Sequence, residues 1–377
     1  MNKIKLIDLT IDKKGHYGIG ASACPFNKEY PLYLRITDID DNSYVANLPT
    51  CIDPNVYLDY ENYLLKTNDI VFARTGNSTG RNYFYNDKFK NVVFAGFLIK
   101  YALDPNKVVP KYVNYYCQSQ KYKATIDSLS NGSTRKNLNA NQFGEIEIPM
   151  YPSDVQQHIV DTIGSIDDLI ENNNNILLKL ESLLIKEYEK SINLNSTEYK
   201  LKEILHVIDN RGKTPKTTNN KSLHPIIEVA QIANSSMWID TNACLKFVDD
   251  ITYNSFFRNG HLKENDVLIS TVGTIGVAGF NFIDGLSIAQ NVVALRSEYS
   301  YLIYCYLILN KEMIINLDIG GVQPSIKLPH LLEQYILIPN DYNKEYYNKM
   351  FETIKNINLK NNELKSLKQT YLKKFFG

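Results

Sequence analysis

Residues 146–192 read IEIPMYPSDVQQHIVDTIGSIDDLIENNNNILLKLESLLIKEYEKSI, and this stretch decides how the chain is organised. An Ile-Glu-Ile-Pro run, typical of a strand that ends at proline, is followed from Ser153 by a helical pattern. Apolar residues then recur three or four positions apart, with a polar interruption at Asn173. They are Ile159, Ile163, Ile166, Ile170, Leu177, Leu180 and Leu184. This spacing predicts a long amphipathic helix, from Ser153 to about Ile192, with a coiled-coil seam.

A second helix of the same kind is predicted from about Asp341 to Phe376. Its apolar seam is shorter and more polar, because Asn361 and Lys368 interrupt it. The apolar positions are Met350, Ile354, Ile357, Leu364, Tyr371 and Phe375.

The charges of the two helices favour their pairing. Residues 151–197 contain three lysines against eight acidic residues, and residues 341–377 contain eight lysines against four, so the net charges are −5 and +4. Opposite charges favour an antiparallel coiled coil between the two helices. The alternative is that each helix packs on its own domain and exposes its charged face. At 1.5 Å per residue, about 35 helical residues span roughly 50 Å, so a pair would hold two units apart about a pseudo-twofold axis.

An internal repeat relates the two remaining parts of the chain, which read as β-rich units. In each unit an Asn-Asp pair leads into an apolar strand and then a glycine turn, and later an Ile-x-Ile-Pro run precedes the long helix. The matched stretches are 5–9 with 200–204, 68–71 with 265–268, 74–80 with 271–276, Asn91-Val92-Val93 with Asn291-Val292-Val293, 132–135 with 321–324, and 146–149 with 336–339.

Length and composition agree with an α+β chain of tandem domains. The 377 residues, 44% of them hydrophobic, suffice for two cores, and the repeat predicts four parts. Lys and Arg total 41 against 41 Asp and Glu, so attraction to a polyanion must come from local patches. The predicted parts are a β-rich unit over 1–151, a helix over 152–195, a β-rich unit over 196–340 and a helix over 341–377.

Several protein classes are excluded by what the sequence lacks. The five cysteines are scattered without a C-x-x-C pair, which indicates reduced thiols in the cytoplasm and neither a disulfide framework nor a zinc module. A secretory leader and a long apolar span are also absent, so no membrane association is predicted. No phosphate-binding loop, dinucleotide fingerprint, H-x-x-x-H pair or G-x-S-x-G elbow is present, and we predict no catalytic or metal site.

The candidate binding residues lie on loops where short polar side chains, cations and turn backbone could meet phosphates and base edges. The alternative is that the glycines only serve the turns and the cations are only solvated. The candidates are Arg74, Thr75, Asn77, Arg81, Arg135 and Lys136 in the first unit, and Arg211, Lys213, Lys216, Thr271, Gln323 and Lys327 in the second.

This order of patterns resembles the specificity (S) subunit of type I restriction-modification enzymes, over essentially the full chain. The resemblance rests on Gly212-Lys213-Thr214-Pro215 at the opening of the second unit and on the Asn-Asp strands and glycine turns at 68–81 and 265–276. It also rests on the closing stretch 132–149, which runs into Gln156-Gln157-His158-Ile159. It implies two target recognition domains that each read one half of a split DNA sequence, with the helices as an antiparallel spacer.

The resemblance also implies partners and cofactors. Two methyltransferase subunits and, where one exists, restriction subunits would dock on a non-catalytic chain. S-adenosylmethionine, and ATP with Mg²⁺ if a restriction subunit is present, would be bound by those partners and not by this chain. A rod of roughly 50 Å equals about one and a half turns of B-DNA. The second glycine turn lacks equivalents of Arg74 and Arg81, so an asymmetric bipartite target is expected.

Two other functions stay open at this point. One is a methyltransferase or nuclease whose active site diverges from known motifs. The other is a duplicated β-rich scaffold that binds proteins or glycans through Tyr-rich loops.

Overall fold

The chain forms two compact units in a computed structural model. Unit 1 comprises Met1–Ile170 and Glu363–Gly377, and unit 2 comprises Glu171–Asn362. Each unit therefore combines a β-rich part with a segment of both long helices. The described residues are 2–130, 137–193, 195–212, 214–233, 237–239, 241–257, 259–321 and 323–377.

Unit 1 is built from short strands in small sheets. The strands are β1 (Lys3–Lys5), β2 (His16–Tyr17), β3 (Cys24–Pro25), β4 (Leu32–Leu34), β5 (Thr50–Cys51), β6 (Asp69–Ala73), β7 (Asn82–Phe84), β8 (Val92–Phe94), β9 (Leu98–Ala102) and β10 (Glu147–Pro149). Their orders are β2-β9-β6-β7, β3-β5-β4-β8 and β1-β10. Of these pairings, β4 with β8 is parallel and the others are antiparallel.

Helices cover the central sheet of unit 1. They are α1 (Pro110–Tyr116), α2 (Gln120–Ser130), α3 (Ala140–Gly144) and the first part of α4 (Ser153–Ile192). Proline suits the first turn of α1 because its missing N–H would be unpaired there anyway. Phe72 of β6 stacks on Phe143 of α3, with ring centroids 5.1 Å apart, in a core that includes Ile159 and Ile163 of α4.

Unit 2 repeats this plan. Its strands are β11 (Ser196–Lys200), β12 (His206–Ile208), β13 (His224–Ile227), β14 (Phe247–Val248), β15 (Val267–Ser270), β16 (Ala278–Phe280), β17 (Ser287–Ile288), β18 (Val292–Arg296) and β19 (Tyr335–Pro339). Their orders, β12-β18-β15-β16, β14-β13-β17 and β11-β19, match those of unit 1 except for its additional β3. The parallel pair is β13 with β17, as β4 with β8 is in unit 1. The predicted duplication is confirmed.

The remaining helices belong to unit 2 or to both units. They are α5 (Leu201–Ile204), α6 (Val229–Ala233), α7 (Asp250–Phe256), α8 (Ser300–Leu309), α9 (Lys311–Ile315), α10 (Leu328–Leu332) and α11 (Lys344–Phe376).

The predicted antiparallel pairing of the long helices is observed within each unit. In unit 1, Asp167 near the middle of α4 forms a 2.7 Å ion pair with Lys368 near the end of α11. In unit 2, Asn173 of α4 donates to Asn361 of α11 at 2.8 Å. From the first contact to the second, the residue number increases along α4 and decreases along α11, so the two helices are antiparallel. The ion pair also joins the acidic helix to the basic one.

The two long helices pair with each other and also pack on the β-rich parts of both units, so neither helix is confined to its own domain. Seam residues such as Leu184 and Ile354 are 0% and 2% exposed and belong to the core of unit 2. In unit 1, Phe376 of α11 packs against Tyr112 and Tyr116 of α1, with centroids 5.4 and 5.7 Å apart. The helices therefore bury their apolar faces against each other and against the β-rich parts at once.

The repeated Asn-Asp pair has a structural role. Asn68 and Asn265 adopt left-handed φ angles of 73° and 72°, a conformation that asparagine tolerates better than most residues. Asp69 and Asp266 follow them, and each accepts the backbone N–H of the residue three positions earlier, at 2.9 and 2.7 Å. The motif thus fixes the turn that enters the central strand of each unit.

One predicted match is wrong. Asn91-Val92-Val93 leads into β8, whereas Asn291-Val292-Val293 leads into β18, the counterpart of β9. The register identifies the true partners, because Ala73 pairs with Leu98 in unit 1 and Ser270 pairs with Val292 in unit 2. Short apolar strands often contain the same few residue types, so identical triplets can occur by chance and here did not identify equivalent positions.

Candidate functional site

In unit 2, backbone hydrogen bonds join the glycine turn (271–276) to residues 323–327, which we call the closing segment. Val272 and Ser325 form a bridge, and the Ile326 N–H donates to the Thr271 carbonyl at 2.9 Å. The Gly273 N–H donates to the Pro324 carbonyl at 3.0 Å, while Gly273 holds a φ of 82° that a side chain would strain. Two segments that the repeat singled out are therefore one structural element.

The same element exists in unit 1. Thr75 bridges to Asn137, and the Leu138 N–H donates to the Arg74 carbonyl at 2.9 Å. Arg74 and Thr271 therefore occupy equivalent positions, as do Thr75 and Val272. The predicted site loops of each repeat are fixed by the same backbone contacts.

An open cleft of about 470 Å³ lies beside this element in unit 2. The opening loop contributes Arg211 and Thr214, the glycine turn contributes Val272, and the closing segment contributes Gln323. The sequence had selected these three segments separately, and the fold brings them to one surface. The other lining residues are Pro215, Thr217, Ile226, Glu228, Lys246, Ala289, Gln290 and Asn291.

Ion pairs hold the charged residues of the cleft. The Arg211 Nε donates to both carboxylate oxygens of Asp209, at 2.9 and 2.8 Å, and Lys246 pairs with Glu228 at 2.6 Å. Burial acts to raise the pKa of Asp209, but the hydrogen bonds from Arg211 outweigh it and lower that pKa. Arg211 is thereby oriented at the edge of the cleft.

Amide side chains give the cleft its hydrogen-bonding character. Gln290, Asn291 and Gln323 line it, and an amide can both donate to and accept from a base edge. The Asn291 Oδ1 is buried and has no hydrogen-bond partner in the part of the chain that the structure describes. Buried polar atoms are usually satisfied, so this oxygen is available to a ligand that enters the cleft.

Thr271 requires a correction. The sequence predicts that Thr271 contacts DNA, but this residue is 0% exposed, and Val272 lines the cleft instead. The Thr271 N–H donates inward to the Asn291 carbonyl at 2.9 Å, so the residue supports the cleft from beneath.

The unit 1 candidates fall into different settings. The guanidinium of Arg74 lies over the ring of Tyr17, 5.0 Å from its centroid, and Asn77 is exposed on the glycine turn. Thr75 is half-buried. Arg81 is engaged elsewhere, because its Nε donates to Asp41 at 2.7 Å and its Nη1 to the Ile39 carbonyl at 3.2 Å.

The remaining candidates are exposed or fall outside the described residues. Lys216, Gln323 and Lys327 have exposed side chains in unit 2. The predictions for Arg135, Lys136 and Lys213 concern positions outside the described ranges.

Sequence reasoning missed three residues next to the glycine turns. Gln290 and Asn291 follow strand β17 and line the cleft, and Phe97 follows β8 in the matching turn of unit 1. The sequence contains a signal for Asn291, which belongs to a repeated Asn-Val-Val triplet, but matching that triplet with Asn91 assigns it to the wrong strand. Nothing in the local sequence indicates that Phe97 is exposed.

The described residues offer neither a metal site nor a helix that could span a membrane. They contain no group of three or more His, Cys, Asp or Glu side chains placed to hold a metal ion. None of the helices they form is long and apolar enough to cross a membrane.

The duplicated fold and its paired loop elements define a chain of two tandem recognition modules. Comparison with known proteins gives the family: residues 30–182 and 193–369 match the model of the type I restriction modification DNA specificity domain. The chain belongs to this family.

Two relatives illustrate the similarity. The specificity subunit of the type I restriction enzyme MjaIX from Methanocaldococcus jannaschii is 24% identical over 261 residues, which cover 62% of this chain and 59% of that protein. The matched region thus spans less than two thirds of that relative. The crystal structure of the type I restriction-modification S subunit from M. genitalium superposes with a TM-score of 0.52 at 18% identity, covering 100% of this chain and 96% of the other. At this identity the likeness shows a shared fold.

Proposed function

We propose that this chain is the DNA-recognition subunit of a type I restriction-modification complex and reads an asymmetric, bipartite duplex target. The observation that carries the proposal is the repeated surface element, in which a glycine turn and a closing segment are joined by the same hydrogen bonds in both units. Loops that a rigid scaffold fixes in place are where base-reading side chains are expected.

The side chains on the two elements support an asymmetric target. Unit 1 has Arg74 over Tyr17 and an exposed Phe97, whereas unit 2 has Arg211 and a set of amides. Arginine suits guanine edges and amides suit adenine edges, so two chemically different readers imply two different half-sites.

In this proposal the long helices set the spacing of the half-sites and dock two methyltransferase subunits and, where one exists, restriction subunits. Support for docking comes from apolar side chains on α4 that face water: Ile176, Leu178 and Leu183 are 45%, 59% and 55% exposed. Ile176 and Leu183 lie seven residues apart and therefore on one face of the helix, and apolar residues grouped on a surface commonly mark protein interfaces.

The chain would be non-catalytic. Its partners would bind S-adenosylmethionine and, with a restriction subunit, ATP and Mg²⁺. Because its ligand would be chromosomal DNA, the proposed place of action is the cytoplasm.

The test is to assemble the chain with its methyltransferase subunits and to map the methylated positions on genomic DNA. We expect methylation at one bipartite, non-palindromic sequence, and binding that weakens steeply with salt. Methyl transfer by the purified chain alone would support the hidden-enzyme alternative. Absence of sequence-dependent DNA binding by the assembled complex would support the protein- or glycan-binding alternative.

A further inference from the structure

Phe97 is a large apolar side chain held in water at the candidate reading surface of unit 1. It lies in the turn between β8 and β9 and is 61% exposed, although its neighbours Ala95 and Leu98 are 5% and 0% exposed. A single exposed apolar side chain is common on a protein surface, so the case for a partner of Phe97 comes from its position beside the glycine turn.

The backbone of this turn is fixed on both sides. The Phe97 carbonyl accepts from the Arg74 N–H at 3.0 Å, and the Gly96 N–H donates to the Ile19 carbonyl at 2.8 Å. Phe97 is therefore presented by an ordered turn that is hydrogen-bonded both to the opening loop of unit 1 (residues 18–22) and to its glycine turn.

The repeat identifies the counterpart of Phe97. In unit 2 the Asn291 carbonyl accepts from the Thr271 N–H at 2.9 Å, which matches the bond between Arg74 and Phe97. Each residue also immediately precedes an equivalent strand, β9 or β18. Phe97 and Asn291 thus hold the same position, and the amide residue Asn291 lines the cleft of unit 2.

The surroundings of Phe97 suit a nucleic acid. Arg74, whose backbone it touches, lays its guanidinium over Tyr17, and Tyr17 is itself 43% exposed. A cation on an aromatic ring, next to an exposed phenylalanine, combines attraction to phosphate or guanine with one apolar contact.

In the major groove, only the C5-methyl group of thymine is apolar on a base edge. We propose that Phe97 is a specificity-determining residue that contacts the C5-methyl of a thymine in the half-site read by unit 1. The proposal rests on the DNA-recognition function proposed above and names one contact within it. Asn291 at the same position of unit 2 would read a polar edge instead, which contributes to the asymmetry of the target.

The experiment removes the methyl group from the DNA and the ring from the protein. The assembled complex with its methyltransferase subunits is bound to duplexes in which each thymine of its mapped target is replaced, one at a time, by uracil. At one position in one half-site, we expect uracil to weaken binding about fourfold, the value of one buried methyl group. Phe97→Ala should bind the thymine and uracil duplexes equally, with an affinity near that of the original complex for uracil.

A matched control is available in the same unit. Phe26 is also 61% exposed, and Phe26→Ala should keep the full uracil effect. Equal uracil effects in the original complex and in Phe97→Ala would overturn the proposal, as would a target whose binding ignores uracil at every position. In both cases specific binding would persist and the proposed function would stand. If the complex with the unaltered chain binds DNA without any sequence preference, both the role of Phe97 and the proposed function are rejected.

Discussion

Asn361 of α11, only 4% exposed, accepts a 2.8 Å hydrogen bond from Asn173 of α4 and donates one of 3.0 Å to Asn174. In the sequence, Asn173 and Asn361 each interrupt the apolar seam of their own helix. The structure joins them, so the two polar positions complement each other. A buried amide pair specifies helix register, because any shift along the seam leaves polar groups unpaired.

Replacing Asn361 should therefore destabilise unit 2. We expect Asn361→Ala to lower the free energy of unfolding by about 1–3 kcal/mol, since amide groups of Asn173 and Asn174 lose their partners. Urea unfolding measures this, with the exposed Asn172→Ala as the control. The double variant Asn173→Leu/Asn361→Leu should regain stability, but it would lack the polar contact that specifies the helix register. An unchanged unfolding midpoint in Asn361→Ala would contradict the assignment.

The buried carboxylate of the repeated Asn-Asp turn should also be important for stability. Asp266 is 0% exposed and accepts two 2.7 Å bonds from Arg296, so Asp266→Ala leaves a partly buried guanidinium without its counter-ion. We expect a loss of about 3 kcal/mol. Asp69→Ala in unit 1 should cost less, because its cationic partner, Lys100, lies 3.3 Å away, farther than the 2.7 Å of the two bonds from Arg296. Thermal unfolding of both variants gives the comparison, and a larger loss in Asp69→Ala would refute this ranking.

Acid should weaken unit 2 partly through Glu333. Hydrogen bonds from Lys200 and Lys202 lower the pKa of Glu333 from an ordinary 4.5 to about 2. A carboxylate with a lower pKa in the folded state stabilises the fold above its unfolded pKa. That stability is lost as the pH falls from about 4.5 through about 2. Glu333→Gln should be less stable at neutral pH and show a shallower decline over this range in unfolding measured against pH. The exposed Glu198→Gln on β11 is the control and should keep the original slope.

Two cations of the opening loop of unit 2 should affect DNA binding differently. Lys216 is exposed, so Lys216→Ala should weaken binding to all sequences and reduce the slope of affinity against salt by about one. Arg211 lies at the cleft in a fixed orientation, so Arg211→Ala should cost about 1–3 kcal/mol of discrimination at one position of one half-site. Titrations of the assembled complex at several salt concentrations separate the two effects. A uniform loss in Arg211→Ala would remove it from the reading residues.

The opening loop of unit 1 depends on Gly18. A Cβ atom there would lie 2.2 Å from the Ala95 carbonyl oxygen, whereas at Gly20 it would meet nothing within 4 Å. Gly18→Ala should displace the loop from the turn that carries Phe97 and relax the choice of the unit 1 half-site. Gly20→Ala should leave specificity unchanged. Methylation mapping with both variants measures this, and identical maps would show that the loop tolerates the displacement.

The sequence predicted the helices well because their signal is periodic. Apolar residues at heptad spacing identify a helix face whatever surrounds it, and Ile163 and Leu184 are fully buried as that face requires. The loops carried a weaker signal. Arg211 and Gln323 line one cleft and Thr271 is buried, while Arg81 and Arg211 are each paired with an aspartate.

The sequence by itself determined the duplication, the two amphipathic helices and the family, because these depend on order and period along the chain. Only the tertiary structure decided that Phe97 and Asn291 are counterparts, that Asn173 meets Asn361, and which loop side chains are exposed. Such relationships follow from long-range hydrogen-bond register and packing, and neighbouring residues do not encode them.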